Sequence, residues 1–393
     1  MKKMLISLLI VLAFVSVGLY TFAPHAPATP KQDMNTAELE AYLNRLVASG
    51  NPPGLSLVVV KRGEVVYNNA FGLADGPRNI KATPDTVYHW WSMTKIPTAI
   101  AIMQLQEQGK LDINDEVTKH LPWFEVKYAS SDSPAVTIRN LLQHSAGLPD
   151  PIPAMIGWVH YSNGTYNQTE VLKKYMPEFN TLKFEPGTQA VYSNLNYMVL
   201  GAVIEAVSGE TYEAYIIDHI LQPLGMSNTS FVYSPAMAEH EAAGTLPVVH
   251  MYTPLLPTLL DPGALIREHS GKLLWLNRFS IEATPSTGLI GPATDVAKFM
   301  MMYLNQGTLE GGSVLSSDSV SILTDATPMD SRGLGWAVGE SSGERYLEHM
   351  GGGAGFATTM RIYPEAGMGI AILANGTDLD RQGLADLVRS LDW

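Results

Sequence analysis

Trp90-Trp91-Ser92-Met93-Thr94-Lys95-Ile96-Pro97 is the stretch on which the fold and the chemistry of this chain turn. Residues three apart on a helix share a face, so Ser92 and Lys95 bring a hydroxyl and an amine within hydrogen-bond reach. A serine hydroxyl is a weak nucleophile near neutral pH until a base takes its proton, and a desolvated lysine is such a base. A helix N-terminus adds oriented N–H groups and partial positive charge where an oxyanion would form. Taken alone the pattern is common, since S-x-x-K arises by chance about once in a few hundred residues. The competing explanation is an exposed helix start with an unremarkable lysine. Pro97 lacks an amide hydrogen and would clash with the Met93 carbonyl in an ideal helix. Regular helix is therefore expected from near Thr94 to about Gly109.

Around this stretch the pattern is mixed. Asn35 to Ala48 reads as an amphipathic helix with Leu39, Tyr42, Leu43 and Leu46 on one face. Leu55–Lys61 and Glu64–Ala70 read as strands joined at Arg62-Gly63. Thr137–His144, Tyr197–Ile220 (interrupted at Ser208-Gly209) and Asp295–Gly307 carry helical periodicity. The Pro/Leu-rich tract Leu246–Phe279 shows little regular pattern, and a loop of that length usually lines a site. Strands return at Glu344–Glu348, Ala357–Tyr363 and Met368–Ala374, and Asp378–Leu391 closes as a helix. This order predicts an α/β (α+β-like) domain. Its antiparallel sheet combines N- and C-terminal strands flanked by helices, around an inserted, mostly helical region. The sheet-bearing part spans about 35–108 and 330–393, and the helical part about 109–329.

The chain has 393 residues, 46% hydrophobic and 16% charged, ample for a large core. A formal net charge of -13 and the lack of any basic stripe argue against nucleic acid as a partner. With no cysteine, disulfides, thiolate catalysis, cysteine-ligated metals and N-terminal cysteine lipidation are excluded. Histidines lack metal-ligand spacing, so neither a metal nor a cofactor is expected. Lys2 and Lys3 precede an apolar run from Met4 to about Ala23, which reads as an export signal. Ala26-Pro27-Ala28 fits a cleavage site, while about twenty apolar residues also suffice to span a bilayer. Residues 1–30 are thus a signal peptide or an uncleaved membrane anchor with its linker, and 31–393 the functional domain. The expected location is periplasmic, or outside the cytoplasmic membrane on a tether.

Three further stretches fall in register behind Ser92. They are Thr137-Ile138-Arg139-Asn140-Leu141-Leu142-Gln143-His144-Ser145-Ala146-Gly147-Leu148-Pro149, Phe184-Glu185-Pro186-Gly187 leading to Tyr192-Ser193-Asn194 and Tyr197, and His349-Met350-Gly351-Gly352-Gly353-Ala354-Gly355-Phe356. In order, spacing and context the chain resembles the class C β-lactamase and penicillin-binding-protein-like family of serine hydrolases. That family also holds esterases, D-amino-acid peptidases and DD-carboxypeptidases. Pro223-Leu224-Gly225-Met226 and Pro285-Ser286-Thr287-Gly288-Leu289 extend the likeness across nearly everything after the export segment. The resemblance implies the serine β-lactamase/DD-peptidase-like fold and Ser92 as nucleophile with Lys95 as partner. It implies Tyr192 as the phenol that relays a proton to the leaving group. A phenol with its usual pKa of about 10 needs nearby cations for that, a role open to Lys95 and His349. Asn194 would orient Lys95 and the acyl group, and His349, Met350 and Gly351 would wall the substrate. The backbone N–H groups of Ser92 and Gly352 would form an oxyanion hole.

Rivals exist for some of these residues. Tyr161-Ser162-Asn163 is the same tripeptide as Tyr192-Ser193-Asn194 but lacks the Phe-x-Pro-Gly lead and the following helix. Gly351–Gly355 lacks the form of a phosphate loop, and no G-x-S-x-G elbow is present. Where many relatives carry a hydroxyl residue that holds a substrate carboxylate, this chain has Met350, which cannot donate a hydrogen bond. Arg267, Arg278 or Arg332 would have to compensate, unless Met350 turns into the core. The expectation is a cofactor-free serine hydrolase acting through an acyl-enzyme on a small molecule or peptide bearing an ester or amide. Esterase or peptidase activity is favoured over true β-lactamase activity. DD-carboxypeptidase or D-aminopeptidase action is the alternative within the class, and a non-hydrolysing envelope binding protein the alternative outside it.

Overall fold

The capping box at Asn35 starts the first helix. The Asn35 side chain accepts from the Glu38 amide and the Glu38 carboxylate from the Asn35 amide, each at 3.0 Å. Two amides without intrahelical acceptors are thereby satisfied, and helix α1 runs over Thr36–Ala48. The structure, a computed structural model, describes residues 27–30, 34–128, 130–152, 154–248, 261–309, 312–325 and 333–393. The apolar N-terminal run and Arg332 lie outside these residues.

Seven strands form one antiparallel sheet: β1 Gly54–Lys61, β2 Glu64–Asp75, β3 Ile80–Lys81, β4 Ala337–Ser341, β5 Glu344–Gly353, β6 Phe356–Tyr363 and β7 Met368–Ala374. Their spatial order is β4-β5-β6-β7-β1-β2-β3. The ends of the chain meet in the middle of the sheet, where β1 pairs with β7 from Leu55↔Ala374 to Lys61↔Met368. Successive β1 side chains serve opposite faces. Leu57 and Val59 join Leu39 and Leu43 of α1 and Leu384 and Val388 of the last helix. Val58 and Val60 join Phe299 and Met300 on the other side. Both faces are covered, so β1 holds the unbroken apolar run Leu57–Val60 where a half-exposed strand would alternate.

Further helices that frame the sheet and the site are α2 Lys95–Glu107, α3 Asn194–Ser208, α4 Ala293–Leu304 and α5 Arg381–Ser390. α3 stops at Gly209, whose φ of 81° suits a residue without a β-carbon. It begins three residues before the apolar periodicity announces it, at Asn194.

Two expectations need correction. Leu246–Phe279 is not devoid of regular structure: Thr245–Pro247, Leu273–Leu276 and Ile266–Ser270 form a three-stranded antiparallel sheet. Leu273–Leu276 is a short apolar run turned back at Gly271, φ 61°, and its side chains are buried. Short apolar runs carry too little periodicity to declare themselves. The last sheet strand of the third motif is also longer than expected, since β5 continues to Gly353 and carries His349 through Gly353.

Candidate active site

Ser92 sits on a single 3-10 turn, Trp91–Thr94, immediately ahead of α2. Regular α-helix begins at Lys95, as the position of Pro97 requires. Trp91 is held at φ 49°, in the left-handed region that a side chain rarely occupies. Strain of this kind persists only where the surroundings over-determine it. Here the surroundings are β5: a β-carbon on Gly353 would lie 2.5 Å from the Trp91 indole, and one on Gly351 would strike the Trp90 carbonyl oxygen. Thr358 Oγ1 on β6 donates to that same Trp90 carbonyl at 2.9 Å. A glycine-lined strand thus lies flat against the turn that presents the serine.

Lys95 is fully buried. Its Nζ has three oxygen neighbours: Asn194 Oδ1 at 2.8 Å, the Ser286 carbonyl at 2.9 Å and Ser92 Oγ at 3.2 Å. Both carbonyl oxygens can only accept. A neutral amine has two hydrogens and one lone pair, so those two acceptors take the hydrogens and leave the lone pair for the Ser92 hydroxyl. Burial pushes the Lys95 amine well below the ordinary lysine range, while the Asp150 charge pulls the other way. Tyr192 lies across the serine, its phenol donating to Ser92 Oγ at 2.8 Å. Lys95 Nζ stands 4.9 Å from the centre of the Tyr192 ring and 5.7 Å from that of Tyr197.

The structure therefore brings Ser92, Lys95, Tyr192 and Asn194 into one hydrogen-bonded group. Tyr161 is elsewhere, 39% exposed, and Asn163 exchanges two 2.9 Å hydrogen bonds with the Tyr233 backbone. His349 and Met350 line a cavity of about 240 Å³ together with His144, Trp336 and Tyr192. Met350 is half-buried there and does not point into the core. The His349 Nδ1 lies 3.0 Å from the Met350 carbonyl, which only accepts, so that nitrogen carries the proton. Gly351 is buried against the turn, while Gly352 is exposed beside it. A larger cavity of about 680 Å³, walled by Leu148, Asp150, Phe179 and Phe184, opens on the other side of Tyr192.

Of the arginines proposed to replace the missing hydroxyl, the two among the described residues are committed elsewhere. Arg267 forks onto Asp75 at 2.7 and 2.8 Å, and Arg278 forks onto Glu241. The described part of Leu246–Phe279 lines neither of these two cavities beside Tyr192. Sequence reasoning passed over Asp150, whose carboxylate accepts from Asn194 Nδ2 at 3.2 Å. It also passed over the role of His144, whose Nδ1 accepts from the Ser193 amide at 3.2 Å and whose ring lies 4.5 Å from that of Tyr192. His144 lies within the Thr137–Pro149 stretch and Asp150 directly follows it, and that placement was the available signal.

This chain belongs to the Beta-lactamase family, which residues 39–392 match. It is 27% identical over 339 residues to Protein flp of Staphylococcus aureus (strain MW2), covering 86% of this chain and 62% of that protein. The chain thus spans less than two thirds of that relative's length. A protein of Escherichia coli O157:H7 named "Putative D-alanyl-D-alanine carboxypeptidase" is 29% identical over 329 residues, 77% of this chain and 71% of that one. Among solved structures, the octameric penicillin-binding protein homologue from Pyrococcus abyssi superposes with a TM-score of 0.72 at 27% identity, over 91% of this chain and 77% of that one. The fold is that of the penicillin-binding-protein-like serine hydrolases.

Proposed function

We propose that the protein is a serine hydrolase that acylates Ser92 with a small molecule or short peptide bearing an ester or amide, then releases the acyl group to water. The observation that carries this is the hydrogen-bonded chain Tyr192–Ser92–Lys95, with the lysine buried and both carbonyl neighbours aimed at its hydrogens. Neutral Lys95 takes the Ser92 proton as Oγ forms its bond to the carbonyl carbon. The oxyanion turns to the N–H groups of Ser92 and Gly352, each donor contributing about 3 kcal/mol by analogy with other serine hydrolases. As the bond to the leaving group breaks, Tyr192 hands it a proton and is reprotonated from Lys95. Water then attacks the ester, and its proton returns through the same groups. We place the site outside the cytoplasmic membrane, in keeping with the Lys2-Lys3 and apolar N-terminal pattern. Ester or amide substrates without a tightly held carboxylate suit a wall that offers Met350.

A second reading, D-alanyl-D-alanine carboxypeptidase action, has the Escherichia coli relative in its favour. One experiment separates the possibilities: labelling of the wild type and Ser92→Ala by a fluorescent fluorophosphonate and by a fluorescent penicillin. Fluorophosphonate label that vanishes in Ser92→Ala is the expected result. Lasting penicillin label with very slow release would move the assignment to the carboxypeptidase. Wild-type protein inert to both reagents would sink the hydrolase assignment and favour a binding protein.

A further inference from the structure

Asn194 is held from two sides by groups of opposite demand. Lys95 Nζ donates to its Oδ1 at 2.8 Å. Asp150 Oδ1 and Oδ2 accept from its Nδ2 at 3.2 and 3.4 Å, and Asp150 Oδ1 also faces the Asn194 backbone N–H at 3.4 Å. A carboxylate only accepts, so the amide must turn its nitrogen to Asp150 and its oxygen to Lys95. The backbone amide is one of the donors in the first turn of α3 that has no intrahelical acceptor. Ser193, which precedes it, makes no side-chain cap and instead donates its Oγ to the Pro149 carbonyl at 3.0 Å. The Pro149–Asp150 segment is thereby bound to the start of α3 through backbone and side chain together.

We propose that Asp150 is a positioning residue for acyl transfer: its carboxylate fixes the Asn194 amide with the oxygen toward Lys95, and its negative charge acts on the Lys95 amine across that amide. This role rests on the proposed hydrolase chemistry at Ser92. The ionisable groups facing Lys95 are Tyr192 and Tyr197, which present their rings to Nζ, and His144, whose ring packs tilted against both at 4.5 and 5.1 Å. Asp150 is the carboxylate whose charge reaches it among the described residues. A negative charge favours the protonated amine, opposing the burial that favours the neutral one. Asp150 therefore sets the pH above which Lys95 is a free base.

The test is the pH dependence of the fluorophosphonate labelling rate at Ser92 in the full chain, for wild type, Asp150→Asn and Asp150→Glu. Asparagine keeps an oxygen for Asn194 Nδ2 but removes the charge. Its acid limb is expected to move to lower pH by about one unit, the size an adjacent opposite charge imposes, while Asp150→Glu returns the limb toward its wild-type place. A limb that does not move in Asp150→Asn, moves to higher pH, or moves equally in both variants overturns the role. Absence of label in the wild type overturns the hydrolase chemistry and this role with it. Label in the wild type with superimposable profiles overturns this role alone.

Discussion

A β-carbon on Gly351 would lie 2.0 Å from the carbonyl oxygen of Trp90 and 2.3 Å from Thr358 Oγ1. The neighbouring Gly352 is different, for a β-carbon there meets only the Arg381 guanidinium, at 3.4 Å. Two adjacent glycines on β5 thus answer to different constraints, one steric and one open. Gly351→Ala must push the strand away from the turn that carries Ser92. It is expected to lower stability by about 2–3 kcal/mol, in the range of core overpacking, and to slow Ser92 labelling at least tenfold, roughly what a misplacement of under an ångström costs. Gly352→Ala should leave the melting temperature nearly unchanged. Equal losses of stability in the two variants would contradict the account.

Tyr192 and Tyr161 head identical tripeptides, but only Tyr192 reaches Ser92. Tyr192→Phe removes the hydroxyl of the proposed proton relay and should lower kcat by about 10²–10⁴, the usual share of general acid–base catalysis. Tyr161→Phe should leave kcat within about twofold, as an exposed substitution outside the site does. Steady-state hydrolysis of a p-nitrophenyl ester series reads both. Similar kcat for the two variants would mean that the relay runs elsewhere.

Met350 lines the cavity beside Tyr192 and has no hydrogen to donate. Met350→Thr supplies one, and a hydrogen bond to a charged group contributes about 1.5–3 kcal/mol. The second-order rate of penicillin acylation at Ser92 should therefore rise at least about tenfold. An unchanged rate would show that position 350 does not face the substrate carboxylate.

Glu213 is buried, its Oε1 accepting from Thr284 Oγ1 at 2.6 Å and from Gln168 Nε2 at 3.3 Å, while Oε2 has no partner. Burial pushes its carboxyl up to about 7 from an ordinary 4.5. The folded state then binds the proton more tightly than the unfolded state does. The resulting stability is complete below about pH 4.5 and is lost as pH rises through about 7. Glu213→Gln copies the protonated form, placing its oxygen at the two donors. It should raise the melting temperature at pH 8 and change it little at pH 5. A gain that is the same at both pH values would rule out titration of Glu213 as the cause.

Much of the fold was legible because its signals are local. The capping box at Asn35, the apolar runs of β1, β6 and β7, and the glycine stop at 209 each act within a few residues. The short strands at 245–247, 266–270 and 273–276 were not legible, because their pairing is decided by what covers them. The same division runs through the site. Ser92 and Lys95 stood out by type and spacing, and Tyr192 and Asn194 through the family resemblance. Asp150 did not, since a lone carboxylate in a loop carries no pattern, and His144 stood inside the Thr137–Pro149 stretch with nothing in its spacing to mark its partners. The Ser286 carbonyl is a backbone group, which no side-chain motif can announce.

The sequence by itself determined which residues are available for acyl transfer: a serine and a lysine one helical turn apart, a tyrosine and an amide about a hundred residues on, and a glycine-rich strand near the end. Tertiary structure alone decided how they meet. Burial holds the Lys95 amine below the ordinary lysine range, and two carbonyls, of Asn194 and Ser286, accept from it. Asp150 reaches Asn194 from another loop and sets the direction of its amide. Spacing along a chain fixes distance only within one helical turn, whereas desolvation and charge act through space between segments that only the fold brings together.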